Sequence, residues 1–133
     1  MAQVLIIEDN LTNMELTSLL LKKIGHTVMC AYDAETGLEM VKTTRPDLIL
    51  MDINLPGMDG LQATAILKQD SLTREIPVIA LSALVMKGDE DRILAAGCNG
   101  YISKPLDYKL FWQIIATWLP GSNTQTIQGG AKP

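Results

Sequence analysis

The stretch LILMDINLPGMDG, residues 48–60, joins an apolar run to a turn rich in Gly, Pro and Asp. The first four residues are all apolar, which is typical of a strand covered on both faces in a parallel sheet. Asp52 stands where that strand gives way to a loop. A carboxylate is seldom buried without a partner. The stretch therefore predicts an interior strand with an acid of functional interest at its carboxyl end.

The rest of the chain repeats this pattern. Short runs rich in Val, Ile and Leu alternate with longer segments of helical period, which indicates βα units around a parallel sheet. The predicted strands are residues 4–7, 27–31, 48–51, 78–81 and 100–102, and the predicted helices are residues 10–24, 34–43, 61–69, 89–96 and 106–119. The first, third and fourth strands are nearly all apolar, so we expect them to be central.

The first and last helices each have an apolar arc at helical spacing, which we expect to face the core. The arc of the first helix contains Met14, Leu16, Leu20, Leu21 and Ile24. That of the last helix contains Leu110, Phe111, Ile114, Ile115 and Trp118.

Size and charge narrow the functional classes. The chain has 133 residues, 47% of them hydrophobic, which predicts one domain over residues 1–120. Residues 121–133 are small and polar and predict a disordered tail or the start of a linker. A net charge of -4 without basic clusters argues against nucleic-acid binding. The amino-terminal apolar run is too short for a membrane span and lacks a basic leader, so we expect a cytoplasmic protein. The two cysteines, Cys30 and Cys98, are interpreted as reduced small hydrophobes.

Polar side chains follow four of the predicted strands. They are Glu8 and Asp9 after the first strand, Asp52 after the third, Ser82 after the fourth and Lys104 after the fifth. Carboxyl ends of parallel strands meet at one edge of the sheet, where ligands bind. Each residue alone also has an ordinary interpretation, as a helix cap, a turn residue or a solvated charge. The joint placement favours a site.

Three carboxylates close together repel one another, so such a cluster protonates or binds a cation. Oxygen ligands of this kind suit Mg²⁺ better than zinc, for which the sequence offers no Cys and His set. Beside a metal, Asp52 is able to act as a nucleophile toward a phosphoryl group. The hydroxyl of Ser82 and the ammonium of Lys104 would then neutralise the phosphoryl oxygens.

With these residues assembled, the chain resembles the receiver domain of two-component response regulators over residues 3–119. The similarity rests on VLIIEDN, PDLILMDINLPGMDG, IPVIALSA and GYISKP, in that order. It implies a flavodoxin-like doubly wound (βα)5 fold with strand order 2-1-3-4-5. Within the family, the chain is similar to single-domain regulators of cell-division phosphorelays.

The resemblance also implies roles for individual residues. Asp52 would be the phospho-acceptor of a signalling protein that is not a turnover enzyme, and Ser82 and Lys104 would bind the phosphoryl group. Tyr101 would report the switch, and the bond before Pro105 would be cis. The ligands of Mg²⁺ or Mn²⁺ would be Glu8, Asp9, Asp52 and the main-chain carbonyl of Asn54. The side chains that set the phosphate lifetime would be Asn54, Ala83 and Leu84.

Two partner surfaces are expected from the same resemblance. A histidine kinase or histidine phosphotransferase would dock on the first helix, through Leu11, Glu15, Ser18, Leu19 and Lys22. A downstream protein would read the face formed by the fourth helix, fifth strand and fifth helix, through Leu84, Val85, Met86, Arg92, Tyr101 and Tyr108. The protein itself would be a monomer or weak dimer.

Three other interpretations compete. A flavodoxin-like FMN binder would place a phosphate in the loop after the first strand, but the two carboxylates of EDNLTN there would repel it. An aspartyl-phosphate hydrolase would need an acid two residues after its nucleophile, where this chain has Asn54. A docking module that is not phosphorylated would have no need of the complete set of acids, hydroxyl and lysine.

Overall fold

A computed structural model describes residues 2–83 and 87–119 of the chain. Five strands and five helices alternate along it. The strands are β1 (Gln3–Ile7), β2 (Thr27–Ala31), β3 (Leu48–Asp52), β4 (Val78–Ser82) and β5 (Gly100–Ser103). The helices are α1 (Leu11–Lys23), α2 (Ala34–Thr44), α3 (Gly60–Gln69), α4 (Lys87–Ala95) and α5 (Tyr108–Trp118).

The five strands form one parallel sheet in the order β2-β1-β3-β4-β5. This confirms the predicted order, and it confirms that the three most apolar strands are central. The register pairs Ile7 with Met51, Asp52 with Leu81, and Ser82 with Ser103. The carboxyl ends of β1, β3, β4 and β5 are therefore level with one another at one edge of the sheet.

The sheet separates two apolar layers. Successive side chains of a strand point to opposite faces, so Val4 and Ile6 pack in one layer while Leu5 and Ile7 pack in the other. The first layer includes residues of α1 and α5, and the second includes residues of α2, α3 and α4. Both faces of β1, β3 and β4 are covered, which is why these strands have continuous apolar sequences.

Side-chain caps fix where the helices begin. Asn10, Asp33 and Asp59 accept hydrogen bonds from backbone N–H groups in the first turns of α1, α2 and α3. Asp107 does the same for α5, accepting from the backbone N–H groups of Lys109 and Leu110. The last helix consequently begins later than predicted, at Tyr108, because the cap at Asp107 and not the preceding proline marks its start.

Two leucines assigned to the core are in fact exposed. Leu16 in α1 and Leu110 in α5 have exposed fractions of 43% and 50%. The arc of α1 that faces the sheet contains Thr17, a buried polar residue, and this turns Leu16 outward. In α5 the buried position belongs to Trp112, whose indole Nε1–H donates to the carbonyl of Leu20 at 2.9 Å and joins the two helices.

Three sequence predictions fall outside the described residues: the disordered tail over residues 121–133, and the roles of Leu84 and of the pair Val85 and Met86. Within the part that is described, no helix combines the length and apolarity required to cross a membrane.

Candidate functional site

Three carboxylates meet at the carboxyl edge of the sheet. Glu8 and Asp9 follow β1, and Asp52 is the last residue of β3. One oxygen from each lies within 4.8 Å of the other two. Glu8 and Asp52 are almost completely buried, at 1% and 3% exposure, whereas Asp9 is exposed. The cluster therefore has two acids held in the interior and one at the mouth.

Lys104, just after β5, neutralises the buried pair. Its Nζ lies 2.7 Å from Oε1 of Glu8 and 3.4 Å from Oδ2 of Asp52. The Lys104 backbone N–H donates to the carbonyl of Ser82 at 2.8 Å, which extends the contact between β4 and β5 by one residue. The peptide bond between Lys104 and Pro105 is cis. The ammonium of a residue 96 positions away in sequence thus reaches into the acidic cluster.

Backbone donors orient both buried acids. Oδ1 of Asp52 accepts from the backbone N–H of Asn54 at 3.0 Å. Oε2 of Glu8 accepts from the backbone N–H of Asn10 at 3.2 Å. Each carboxylate therefore has one oxygen held by the chain that follows it and the other directed to Lys104.

Burial raises the pKa of the Glu8 carboxyl, and its hydrogen bond with Asp52 raises it further. Lys104 acts in the opposite direction and lowers it. The ammonium only partly offsets the cost of placing two carboxylates side by side in the interior. The site is therefore suited to receive additional positive charge.

The other predicted site residues lie around this cluster. Ser82 ends β4 and is 1% exposed, next to the strand that carries Asp52, while Ala83 and Asn54 are exposed at the mouth. Tyr101 on β5 is half-buried against the core layer formed with α2, α3 and α4. Its hydroxyl donates to the carboxylate of Glu90 on α4, which raises the pKa of Tyr101.

Gly60 belongs to the site, although the sequence predicted no role for it there. A Cβ at Gly60 would collide with the backbone of Asp52 and Ile53. The backbone N–H of Gly60 also donates to the carbonyl of Ile53 at 3.4 Å. The signal in the sequence is the glycine of PGMDG, eight residues after the acid, but only the fold shows which backbone it approaches.

Four of the five predicted docking residues of α1 line one groove, and Leu11 lies outside it. Leu11 and Leu19 are exposed, at 67% and 53%. One groove is lined by Met14, Glu15, Ser18, Leu19, Lys22, Cys30 and Tyr32. A second, smaller groove of about 60 Å³ lies on the opposite flank and is lined by Asn13, Leu16, Thr17, Lys104, Pro105 and Leu106. Leu16, which sequence analysis placed in the core, therefore lines the same groove as Lys104, whose ammonium contacts Glu8 and Asp52.

On the face of α4, β5 and α5, two of the three predicted contact residues that the structure describes, Arg92 and Tyr108, are accessible. Arg92 forms an exposed ion pair with Asp89 at 3.6 Å. Tyr108 is 50% exposed, and its ring meets that of Trp112 edge-on at a centroid distance of 5.2 Å.

Residues 4–116 match the family described as the response regulator receiver domain. The chain is 45% identical over 116 residues to the polar-differentiation response regulator DivK of Brucella anthropi, a match that covers 87% of this chain and 94% of that protein. It is 44% identical to DivK of Brucella ovis over the same shares of both proteins.

Solved structures agree with these matches. The receiver domain of a sensor histidine kinase from Pseudomonas aeruginosa, with a magnesium ion coordinated in its active site cleft, superposes with a TM-score of 0.82 at 32% identity. That comparison covers 88% of this chain and 96% of the other. The Mn²⁺-bound response regulator Rcp1 gives a TM-score of 0.79 at 26% identity, covering 90% of this chain and 96% of the other.

Proposed function

This chain belongs to the family of response regulator receiver domains, and we propose that it accepts a phosphoryl group on Asp52 from a histidine kinase or histidine phosphotransferase. The observation that carries the proposal is the placement of Lys104, 2.7 Å from Glu8 and 3.4 Å from Asp52, beside three carboxylates within 4.8 Å of one another. Carboxylates able to act as the nucleophile and as metal ligands thus lie beside an ammonium at one edge of the sheet.

The residues present fit a divalent cation. Two buried carboxylates and one exposed carboxylate supply hard oxygen ligands, and a single ammonium leaves them with excess negative charge. Glu8, Asp9, Asp52 and the main-chain carbonyl of Asn54 would hold Mg²⁺ or Mn²⁺. When bound, the ion supplies charge neutralisation to phosphoryl oxygens.

The remaining chemistry belongs to the side chains. An oxygen of Asp52 forms a bond to phosphorus while the phosphorus–nitrogen bond of the donor phosphohistidine breaks and returns its electron pair to the imidazole. The ammonium of Lys104, already directed at Asp52, pairs with the negative charge of the transferred group. The hydroxyl of Ser82, at the end of the adjacent strand, donates to the same group.

The signal then passes to a partner protein. We propose that the transferred group draws Ser82 toward it, and that Tyr101 exchanges its hydrogen bond with Glu90 for an inward position. A partner that binds α4, β5 and α5, through Arg92, Tyr108 and the predicted contacts Val85 and Met86, would prefer the phosphorylated state. Asn54, Ala83 and Leu84 would control how fast water removes the phosphoryl group.

Intact-mass spectrometry after incubation with acetyl phosphate tests the acceptor role. Wild-type protein should gain one phosphoryl group in the presence of Mg²⁺ and none in EDTA. Asp52→Ala should gain none, whereas Asp47→Ala, which removes an exposed acid at the opposite end of β3, should behave as wild type. Phosphorylation of Asp52→Ala to the wild-type extent would contradict the proposal.

The position of the phosphodonor on α1 is a separate part of the proposal. The donor contacts predicted from the sequence at Glu15, Ser18, Leu19 and Lys22 line the other groove of α1. The groove that contains Leu16 and Pro105 adjoins Lys104, so we place the donor there and on Leu11, beside Asp52, in preference to that first assignment. Leu16→Glu should slow transfer from a phosphorylated phosphotransferase at least tenfold and leave phosphorylation by acetyl phosphate unchanged. Leu72→Glu is the matched control, because Leu72 is exposed and lies outside this groove. Equal transfer rates for both variants would move the donor site elsewhere.

A further inference from the structure

Helix α1 has more apolar residues than its contact with the sheet requires. Leu20, Leu21 and Ile24 are buried, yet Leu11 and Leu19 are more than half exposed. A helix with a single apolar face normally presents polar residues to solvent on the other. The outer face of α1 is therefore a candidate for an interaction with another molecule.

The groove lined by Leu19 lies between α1 and the edge strand β2. Its volume is about 420 Å³, larger than the groove beside Lys104. Tyr32, 46% exposed, forms one wall with Leu19, and half-buried Ser18 and Cys30 form the floor, where Oγ and Sγ lie 3.7 Å apart. The groove thus combines an aliphatic and an aromatic side chain over a floor of small residues.

The groove is lined by one acidic and one basic side chain. Glu15 and Lys22 lie on the same line along α1, seven residues apart, which corresponds to about 10 Å. Within residues 2–83 and 87–119, neither of them forms an ion pair. A partner helix that carries a base opposite Glu15 and an acid opposite Lys22 would form two ion pairs with this surface.

The same helix in antiparallel orientation provides that partner. A two-fold axis between Ser18 and Leu19 brings Glu15 of each copy opposite Lys22 of the other, because both lie about three and a half residues from the axis. It also brings the two Leu19 side chains together, each facing the small Ser18 of the other copy. The groove is therefore complementary to itself.

We propose that this groove is the contact surface of a homodimer, with α1 of one copy packed antiparallel against α1 of a second copy. Exposed leucine and tyrosine supply apolar contact at the centre, and two symmetric ion pairs define the register. The contact involves only one helix and one strand edge, whereas a stable interface needs roughly 800 Å² from each partner. The dimer is accordingly weak and depends on protein concentration.

The dimer surface and the donor groove occupy different flanks of α1. Leu16 lies about 100° around the helix axis from Glu15 and about 60° from Leu19, and the two grooves share no lining residue. Dimerisation needs neither a phosphoryl group nor a metal ion, so it is tested independently of the proposed function.

Sedimentation velocity over a range of protein concentrations up to the millimolar range tests the proposal. The wild-type sedimentation coefficient should rise toward that of a dimer. Glu15→Lys and Lys22→Glu should each remain monomeric, because each creates two like-charged pairs across the axis. An equimolar mixture of these two variants should associate again, since every cross-axis pair then joins a lysine to a glutamate.

Leu19→Asp should abolish self-association, while Leu72→Asp, at an exposed leucine away from α1, should leave it unchanged. Circular dichroism verifies that each variant is folded. A wild-type protein that is monomeric at every concentration would overturn the proposal. It would equally be overturned if the single charge variants associated as the wild type does, or if their mixture failed to associate.

Discussion

Asp52 illustrates how a single residue is placed for chemistry at a cost to stability. It lies buried beside Glu8, and one ammonium is shared between the two carboxylates. In the absence of a divalent ion, Asp52→Asn should raise the free energy of unfolding by about 1 kcal/mol, because it removes the repulsion. Urea denaturation in EDTA measures the difference. Asp91→Asn, which alters an exposed acid on α4, should have no effect, and a destabilised Asp52→Asn protein would contradict this account.

His26 is a second residue whose charge state matters for folding. It is 6% exposed immediately before β2, and its Nδ1 accepts from the backbone N–H of Ala2 at 3.2 Å. Burial lowers the pKa of His26, the amino-terminal charge lowers it further, and Asp47 opposes both. The folded state thus prefers the neutral ring.

Because the folded pKa of His26 lies below the unfolded value near 6.5, its neutral form stabilises the fold above that pH. The contribution should be lost as pH falls through 6.5 toward the folded pKa. Urea denaturation between pH 8 and about 5 should show wild-type stability falling more steeply than that of His26→Asn, which keeps an acceptor but does not titrate. Parallel curves for the two proteins would show that His26 does not contribute.

At the scale of elements, the contact between α3 and the end of β3 controls the position of Asp52. Gly60→Ala would push a methyl group against the backbone of Asp52 and Ile53. It should destabilise the protein by roughly 2 kcal/mol and slow phosphorylation by acetyl phosphate. Gly88→Ala in α4 is the control, because an added Cβ there meets no described atom within 4 Å. Equal effects of the two substitutions on phosphorylation would rule out a specific role for Gly60.

At the scale of the whole molecule, a cation that binds only the folded state stabilises all five βα units together. Saturation with Mg²⁺ at 100 times its dissociation constant should add about 2.7 kcal/mol to the free energy of unfolding. Fluorescence of Trp112 and Trp118 during thermal unfolding, with Mg²⁺ or EDTA, measures this. Asp9→Asn should lose most of the increment and change little in EDTA, because Asp9 is exposed. No increase in the wild-type midpoint would argue against a metal site in this cluster.

Sequence alone determined the fold to a large extent. Continuous apolar runs distinguish strands covered on both faces from edge strands, and this was enough to identify β1, β3 and β4 as central. The predicted starts of α1, α2 and α3 lie within one residue of the observed ones, since short polar side chains cap the first turn of each helix locally. The acids were predicted to meet since parallel strands end at one edge of the sheet, and the structure shows that the three carboxylates do.

Only the tertiary structure decided which faces of the helices are covered. The apolar residues of α1 and α5 surround most of each helix, so periodicity did not distinguish exposed Leu16 and Leu110 from buried Leu20 and Trp112. The approach of Gly60 to Asp52, and the separation of two grooves along α1, likewise depend on how distant segments pack. Local signals act over a few residues, whereas these features arise from contacts between elements far apart in the chain.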